Sequence, residues 1–279
     1  MRFTKMEGLG NDYVYVNCFE ECVEDPGRLA RLVSDRHLGI GGDGLILIAP
    51  SDKADFSMIV YNSDGSRAEM CGNGIRCAGK YAYDHGLISG DVMTVETLAG
   101  IKTLRYISGD ARESVLMVDM GKPVIGRDNI PMYRALMQTL EQETVLACGE
   151  EYRFTRVSMG NPHAVIVVTD TENIPVGRLG PCIECDRAFP DRTNVEFVQM
   201  ISPDSIRMRV WERGSGETRA CGTGACAASV ACMLAGTVDE HVEVQLAGGR
   251  LDIQYDRQKD TIYMTGPARA VFDGRIDIF

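Results

Sequence analysis

At 279 residues, with 44% hydrophobic, 25% charged and 7% aromatic residues, the chain has the composition of an ordinary globular protein of one large or two middling domains, which excludes disordered and fibrous classes. A formal charge of −11, with Lys and Arg scattered rather than clustered, disfavours nucleic-acid partners and anionic membranes, both of which would be approached against repulsion. No apolar run at the start has signal-peptide length and none elsewhere approaches a membrane span, so no membrane association and a cytoplasmic location are expected; ten cysteines there read as buried small hydrophobes and reactive thiols rather than a disulfide framework.

In chain order, Gly10-Asn11 precedes a β-rich run, Tyr13-Val14-Tyr15-Val16. Residues 29–38 read as a helix and Leu45-Ile46-Leu47-Ile48 as a strand. The glycines from Gly39 to Gly44 satisfy the dinucleotide spacing G-x-G-x-x-G, but they follow a helix and precede a strand, the reverse of what that fingerprint requires. Ile59-Val60-Tyr61 is a strand leading through a glycine-rich turn to Cys71-Gly72-Asn73-Gly74 and a helix over 73–85, stopped by Gly86. A junction is expected near 121–127. Beyond it, Gly160-Asn161 precedes Ala164-Val165-Ile166-Val167, and Met208-Arg209-Val210-Trp211 leads to Cys221-Gly222-Thr223-Gly224 and a helix over 223–235, stopped by Gly236.

The second set of signals repeats the first at a lag of 150 residues, as Gly10 with Gly160 and Cys71 with Cys221 show. Leu98-Ala99-Gly100 and Met120-Gly121-Lys122-Pro123 are echoed by Leu246-Ala247-Gly248 and Thr265-Gly266-Pro267 at slightly shorter lags. Two related domains follow, each of short strands about one helix. Both helices consist largely of small residues, as a helix enclosed on all sides requires.

A cysteine at such a helix start sits among backbone N–H groups without intrahelical partners and at the positive end of the helix dipole, and both favour thiolate. The same groups suit a substrate carboxylate and the charge that grows on it as an α-proton leaves. Inverting a stereocentre needs proton removal on one face and delivery on the other, so the matched pair Cys71 and Cys221 is read as an acid and a base. Cys77, Cys226 and Cys232 lie within the helices and read as packing. Cys18, Cys22 and Cys148 carry no specific signal. Cys182 and Cys185 form half a zinc motif with no second half, and no metal is expected. Of the histidines, only His163 belongs to a repeat anchor, with Tyr13 at its counterpart. Glu212 and Asn62 each stand nine residues before their cysteine, so the two thiols are expected in unequal surroundings. Two other classes remain open on these residues: a thiol hydrolase using one cysteine with His163, and a non-catalytic binding or redox-sensing protein.

These residues carry a resemblance to the diaminopimelate epimerase family along nearly the whole chain. The motifs are Lys5-Met6-Glu7-Gly8-Leu9-Gly10-Asn11-Asp12, Tyr61-Asn62-Ser63-Asp64-Gly65-Ser66 through Met70-Cys71-Gly72-Asn73-Gly74, Gly160-Asn161-Pro162-His163, Arg192-Thr193-Asn194-Val195-Glu196-Phe197, and Trp211-Glu212-Arg213-Gly214 through Ala220-Cys221-Gly222-Thr223-Gly224. The related proline racemases carry His in place of Asn73, and the phenazine-biosynthesis isomerase group lacks the cysteine pair. The resemblance implies an α/β fold of two pseudo-symmetric domains, 1–119 with 266–279 and 120–265, each a curled β-sheet around a central helix, with the site in the cleft between them. It implies a cofactor-independent epimerase converting LL-2,6-diaminopimelate to the meso form for lysine and peptidoglycan synthesis. Cys71 and Cys221 would exchange the proton, assisted by His163 and Glu212. Gly72, Asn73, Gly222 and Thr223 would hold the reacting carboxylate, and Asn11, Asn62, Asn161, Asn194, Glu212 and Arg213 the rest of the substrate. A homodimer is expected by the same resemblance. Some members place a substrate-contacting Gln where this chain has Gly44.

Overall fold

The computed structural model describes residues 1–137 and 143–277. The chain divides into two units, Met1–Val118 with Thr265–Phe279, and Asp119–Met264. The first contains β1 (Arg2–Gly8), β2 (Asn11–Asn17), α1 (Pro26–Ser34), β3 (Gly44–Ala49), β4 (Phe56–Asn62), β5 (Arg67–Ala68), α2 (Gly72–Asp84), β6 (Val92–Thr97), β7 (Gly100–Gly109) and most of β8 (Glu113–Gly121). The second contains β9 (Val124–Ile125), β10 (Ile130–Pro131), α3 (Met132–Ala135), β11 (Glu143–Ala147), β12 (Glu150–Ser158), β13 (Pro162–Val167), α4 (Val176–Glu184), β14 (Asn194–Ser202), β15 (Ser205–Glu212), β16 (Gly216–Thr218), α5 (Gly222–Leu234), β17 (His241–Leu246) and β18 (Gly249–Asp256). A long β19 (Thr261–Arg275) starts in the second unit and returns to the first. No helix among the described residues is long and apolar enough to cross a membrane.

The two units follow one plan. In the first, β2 pairs parallel with β3, β3 antiparallel with β4, β4 parallel with β6, and β6 antiparallel with β7. In the second, β13 pairs parallel with β14, β14 antiparallel with β15, β15 parallel with β17, and β17 antiparallel with β18. Each first parallel pair is joined through a helix, α1 or α4, as a parallel connection requires. Register is kept as well: Tyr13 faces Gly44 in the first unit as His163 faces Asn194 in the second.

Each sheet curls about its central helix. Helix α2 packs against β1, β2, β3 and β7, and α5 against β12 through β15, β17 and β18. Consequently α2 is buried from Gly72 to Ala82 and nearly all of α5 is buried. Both end as their glycines predict: Gly86 and Gly236 take φ of +66° and +68°, and the next N–H groups reach back to Ala82 and Cys232 carbonyls at 2.9 and 3.1 Å. The enclosed helices differ in charge. Arg76 and Lys80 of α2 are fully buried and compensated, Arg76 by the carbonyls of Gly72 and Pro267 and by Asn73 Oδ1, Lys80 by Asp84, the Asp110 carbonyl and Ser114. Their counterparts in α5 are Cys226 and Val230.

The helix expected over 29–38 is shifted toward the N-terminus. Asp25 caps the N–H of Arg28 with Pro26 in the first turn, while Asp35 takes an extended conformation and its carboxylate accepts the N–H groups of His37 and Leu38. The segment from Gly39 then folds back on the end of α1, with Ile40 and Gly41 N–H bonded to the Val33 carbonyl. It is a turn between helix and strand.

Close packing makes two glycines of one helix respond oppositely. A Cβ on Gly180 of α4 would lie 2.4 Å from Trp211 Cγ, whereas one on Gly177 would meet nothing within 4 Å. Gly180→Ala is expected to destabilise by about 1–3 kcal/mol through overpacking, and Gly177→Ala to be neutral or to stabilise by up to about 1 kcal/mol. Thermal melts of both variants, read by circular dichroism, check the opposite signs.

Candidate active site

Both central helices start at a cysteine in extended conformation, Cys71 at φ −132°, ψ 115° and Cys221 at φ −123°, ψ 115°. Each is its helix's N-cap. Gly74 N–H donates to Cys71 Sγ at 3.3 Å, and Gly224 N–H to Cys221 Sγ at 3.4 Å. Oxygen side chains usually occupy this place; here sulfur does, which puts the thiol against the first-turn N–H groups. Gly72, Asn73, Gly222 and Thr223 form those two first turns.

In the first unit, Cys71 Sγ donates to Asn11 Oδ1 at 3.3 Å. That amide is not free to turn over, because Asn11 Nδ2 donates to Asp43 Oδ2 at 2.7 Å and a carboxylate only accepts. Asp43 is in turn held by Arg36 at 3.0 Å, which also grips Asp12 at 2.7 Å, and Lys5 meets Asp12 at 2.6 Å. The glycine-rich turn thus delivers the carboxylate that orients Asn11. Tyr13 also hydrogen-bonds to Cys71, and burial followed by that sulfur pushes its phenol well above the usual range. The amide expected beside Cys71 was that of Asn62; it bonds Ser66 Oγ at 3.0 Å, while the amide on the sulfur is Asn11's. A Cβ on Gly44 would lie 2.1 Å from the Tyr61 carbonyl oxygen, so this backbone has no room for the Gln that some family members carry there.

In the second unit, Cys221 is buried and stands 3.5 Å from Thr223 Oγ1. The carboxyl of Glu212 lies beside it and accepts a short bond from Thr218. Burial raises the Glu212 carboxyl, opposed by Thr218 and Cys221. Burial, then Glu212, then Glu196 push the Cys221 thiol well above its ordinary value. This corrects the expectation that both helix starts favour thiolate: at Cys221 desolvation and two carboxylates outweigh the N–H groups and the dipole.

His163 is fully buried, with Nδ1 2.7 Å from Glu196 Oε1 and Nε2 3.0 Å from Asn161 Oδ1. Asn161 Nδ2 donates to Thr223 Oγ1 at 3.2 Å, so His163 is linked to Cys221 through two side chains. Asn194 joins the Pro162 carbonyl to the Arg213 N–H, at 3.0 and 2.9 Å. Buried Glu184 of α4 accepts from Trp211 Nε1 at 2.7 Å and from Gly214 N–H at 3.0 Å, gripping the turn that bears Glu212 and Arg213 on both sides. Sequence reasoning missed Asp43, Glu184 and Glu196. At the repeat lag Glu196 matches Ile46, Asp43 matches Thr193 and Glu184 matches Ser34, so the mismatch alone did not single any of them out.

The remaining thiols fall outside these sites. Burial lifts Cys77 to about 12 and Cys232 to about 11, as packing residues would be. Cys182 lies 3.5 Å from Cys148, both exposed, and among the described residues no three or more His, Cys, Asp or Glu side chains group as a metal site.

A family model described as Diaminopimelate epimerase matches residues 3–126 and 155–271. A diaminopimelate epimerase of Acetivibrio thermocellus is 52% identical over 278 residues, covering 100% of this chain and 99% of its own. One of Methanococcus maripaludis is 50% identical over 278 residues, covering 100% of both chains. Among solved structures, a Bacillus anthracis phenazine biosynthesis protein superposes with a TM-score of 0.72 at 16% identity, over 100% of this chain and 99% of that one, a likeness of fold.

The surroundings of Cys221 set its reactivity. Because carboxylate charge raises this thiol, Glu212→Gln should move the onset of Cys221 alkylation to lower pH, whereas the wild-type onset lies above the usual thiol range. Iodoacetamide labelling across a pH series, read at the Cys221 peptide by mass spectrometry, checks the direction.

Proposed function

The chain belongs to the diaminopimelate epimerase family, and from that premise we propose that it inverts one α-carbon of LL-2,6-diaminopimelate to give the meso isomer, using Cys71 and Cys221 as the proton-exchanging pair without a cofactor. The observation that carries this reading is the duplicated N-cap: each repeat places one sulfur on the first-turn N–H groups of a buried helix.

Inversion needs one thiolate to take the α-proton and one thiol to give a proton to the opposite face of the carbanion; in the reverse direction the roles exchange. The acceptor beside the Cys71 sulfur is Asn11, and the acceptor beside the Cys221 sulfur is Glu212. Of those acceptors only Glu212 can take the proton, so in this reading the Cys221–Glu212 pair shares one proton and supplies the thiolate. The carbanion is stabilised by spreading charge onto its carboxylate, which the first-turn N–H groups of Gly72, Asn73, Gly222 and Thr223 would hold at two positive helix ends. Asn11, Asn62, Asn161 and Arg213 would hold the remaining groups of the substrate. Arg213 suits the distal carboxylate, because a guanidinium grips one with two parallel bonds. Asn194, tied to Pro162 and Arg213, would set the loop from which that arginine reaches.

A thiol hydrolase built on Cys221 and His163 is disfavoured. Both ring nitrogens of His163 are engaged by Glu196 and Asn161, and its link to the sulfur runs through Thr223. The cytoplasmic location, the homodimer and the absence of nucleic-acid partners also belong to this reading, and the homodimer rests on the family alone.

Acid–base catalysis by a positioned side chain contributes roughly 10²–10⁴-fold. Cys71→Ser and Cys221→Ser should therefore each lower kcat for diaminopimelate by at least about 100-fold while remaining folded. Wild-type protein in heavy water should place deuterium at the α-carbon, measured by mass spectrometry. A single variant that epimerises at nearly the wild-type rate sinks the two-thiol reading.

A further inference from the structure

The duplication offers an internal comparison at the residue beneath each helix start. A Cβ on Gly74 would lie 2.7 Å from Ile46 Cδ1, and one on the equivalent Gly224 would lie 2.8 Å from Glu196 Oε1. Ile46 and Glu196 occupy the same place in β3 and β14, opposite Tyr15 and Val165. One half therefore has an aliphatic chain under its cysteine-capped turn and the other a carboxylate. A second exchange accompanies it, since Tyr13 in the first half stands where His163 stands in the second. The half with tyrosine has isoleucine; the half with histidine has glutamate.

Packing alone does not account for Glu196. It is fully buried, its Oε1 bonds to His163 Nδ1 at 2.7 Å, and its Oε2 has no hydrogen-bond partner among the described residues. A buried carboxylate so sparsely compensated is costly, and isoleucine fills the equivalent space in the first unit. What the carboxylate adds is chemical direction. It only accepts, so Nδ1 must carry a proton, and Nε2 becomes the nitrogen that faces the Asn161 amide at 3.0 Å. The far end of that amide bonds Thr223 Oγ1 at 3.2 Å, and Thr223 is 3.5 Å from the Cys221 sulfur.

We propose that Glu196 is a positioning residue for proton exchange at Cys221, holding a proton on Nδ1 of His163 so that Nε2 governs a hydrogen-bonded line through Asn161 and Thr223 to the sulfur. The line has two consistent orientations. With Nε2 protonated, Asn161 Oδ1 accepts from it, Asn161 Nδ2 donates to Thr223, and the Thr223 hydroxyl donates to a thiolate. With Nε2 bare, the amide is turned over, Thr223 donates to Asn161, and its oxygen accepts from the thiol. No proton crosses the amide; only the direction of donation passes along the line. Besides Glu196, the titratable groups beside this line are Glu212 and Cys221. The proposal rests on reading Cys221 as a catalytic thiol.

Two measurements test it. Long-range proton–nitrogen NMR on histidine-labelled wild-type protein, with His163 assigned by its loss in His163→Gln, should show proton occupancy at Nδ1. A resonance pattern with the proton on Nε2 alone overturns the hold on Nδ1 without any variant having to fold. In steady-state assays with diaminopimelate, Glu196→Gln should lower kcat by about 10- to 100-fold, within what acid–base assistance contributes, with KM changed less than about threefold. Added to His163→Gln, the same substitution should cost nothing further, because its partner is already gone. An unchanged kcat in Glu196→Gln, or an equal loss with and without His163, overturns the proposal. If wild-type protein fails to place deuterium at the α-carbon of diaminopimelate, the proposed function falls, while the NMR measurement still decides whether Glu196 fixes the imidazole.

Discussion

Each central helix is buried from its first residue, and the rest of the structure answers to that constraint. The first-turn N–H groups of a helix have no intrahelical acceptor, and burial removes water as a substitute. The residue just before the helix must then supply one, and in both units it is a cysteine sulfur. The same burial requires small residues along the helix and lets neighbouring side chains approach the backbone within contact distance of Gly74 and Gly224. The thiols are therefore structural caps, and in the proposed reading they are the reactive groups as well. The need of the helix ends for an acceptor is what fixes the positions of Cys71 and Cys221.

Within this shared frame the units have diverged in charge. Helix α2 encloses Arg76 and Lys80, each surrounded by carbonyls and polar side chains, while α5 encloses no charged residue. Around the thiols the order is reversed. Cys71 faces a neutral amide and a phenol, and Cys221 faces Glu212 with Glu196 behind. Duplication kept the strand register, the crossover helices and the cysteine caps, since a change in any of these would misplace the rest. Charge could vary where it is compensated locally, as at Arg76 and Lys80; Glu196 is the exception.

The fold was legible because a repeat at a fixed lag is a property of the sequence itself. The paired Cys-Gly-x-Gly starts, their glycine stops and the strands before them needed only periodicity and turn chemistry to be read. The catalytic candidates were legible for the same reason, with His163 and Glu212 singled out by register. What sequence did not disclose were contacts made across strands. Asp43 lay hidden in a glycine run that suggested phosphate binding, yet its task is to hold Asn11. Glu184 sits on a helix some 30 residues before the turn it grips, a separation that no local pattern encodes. The direction of the Cys221 shift was misread because motif reasoning counts the helix dipole, which is local, and leaves out burial and carboxylates brought from other strands.

The magnitudes explain why burial prevails at Cys221. A helix end contributes roughly 0.3–1 kcal/mol to a nearby charge and up to about 2 in partly buried geometries, or at most about 1.5 pKa units at 1.36 kcal/mol each. Full desolvation shifts a group by as much as about 3–5 units, and each nearby like charge adds to it. Burial and the two carboxylates therefore favour the protonated sulfur. A buried thiol raised by its own surroundings is protected from adventitious alkylation and oxidation, which a thiol permanently ionised by a helix end would not be.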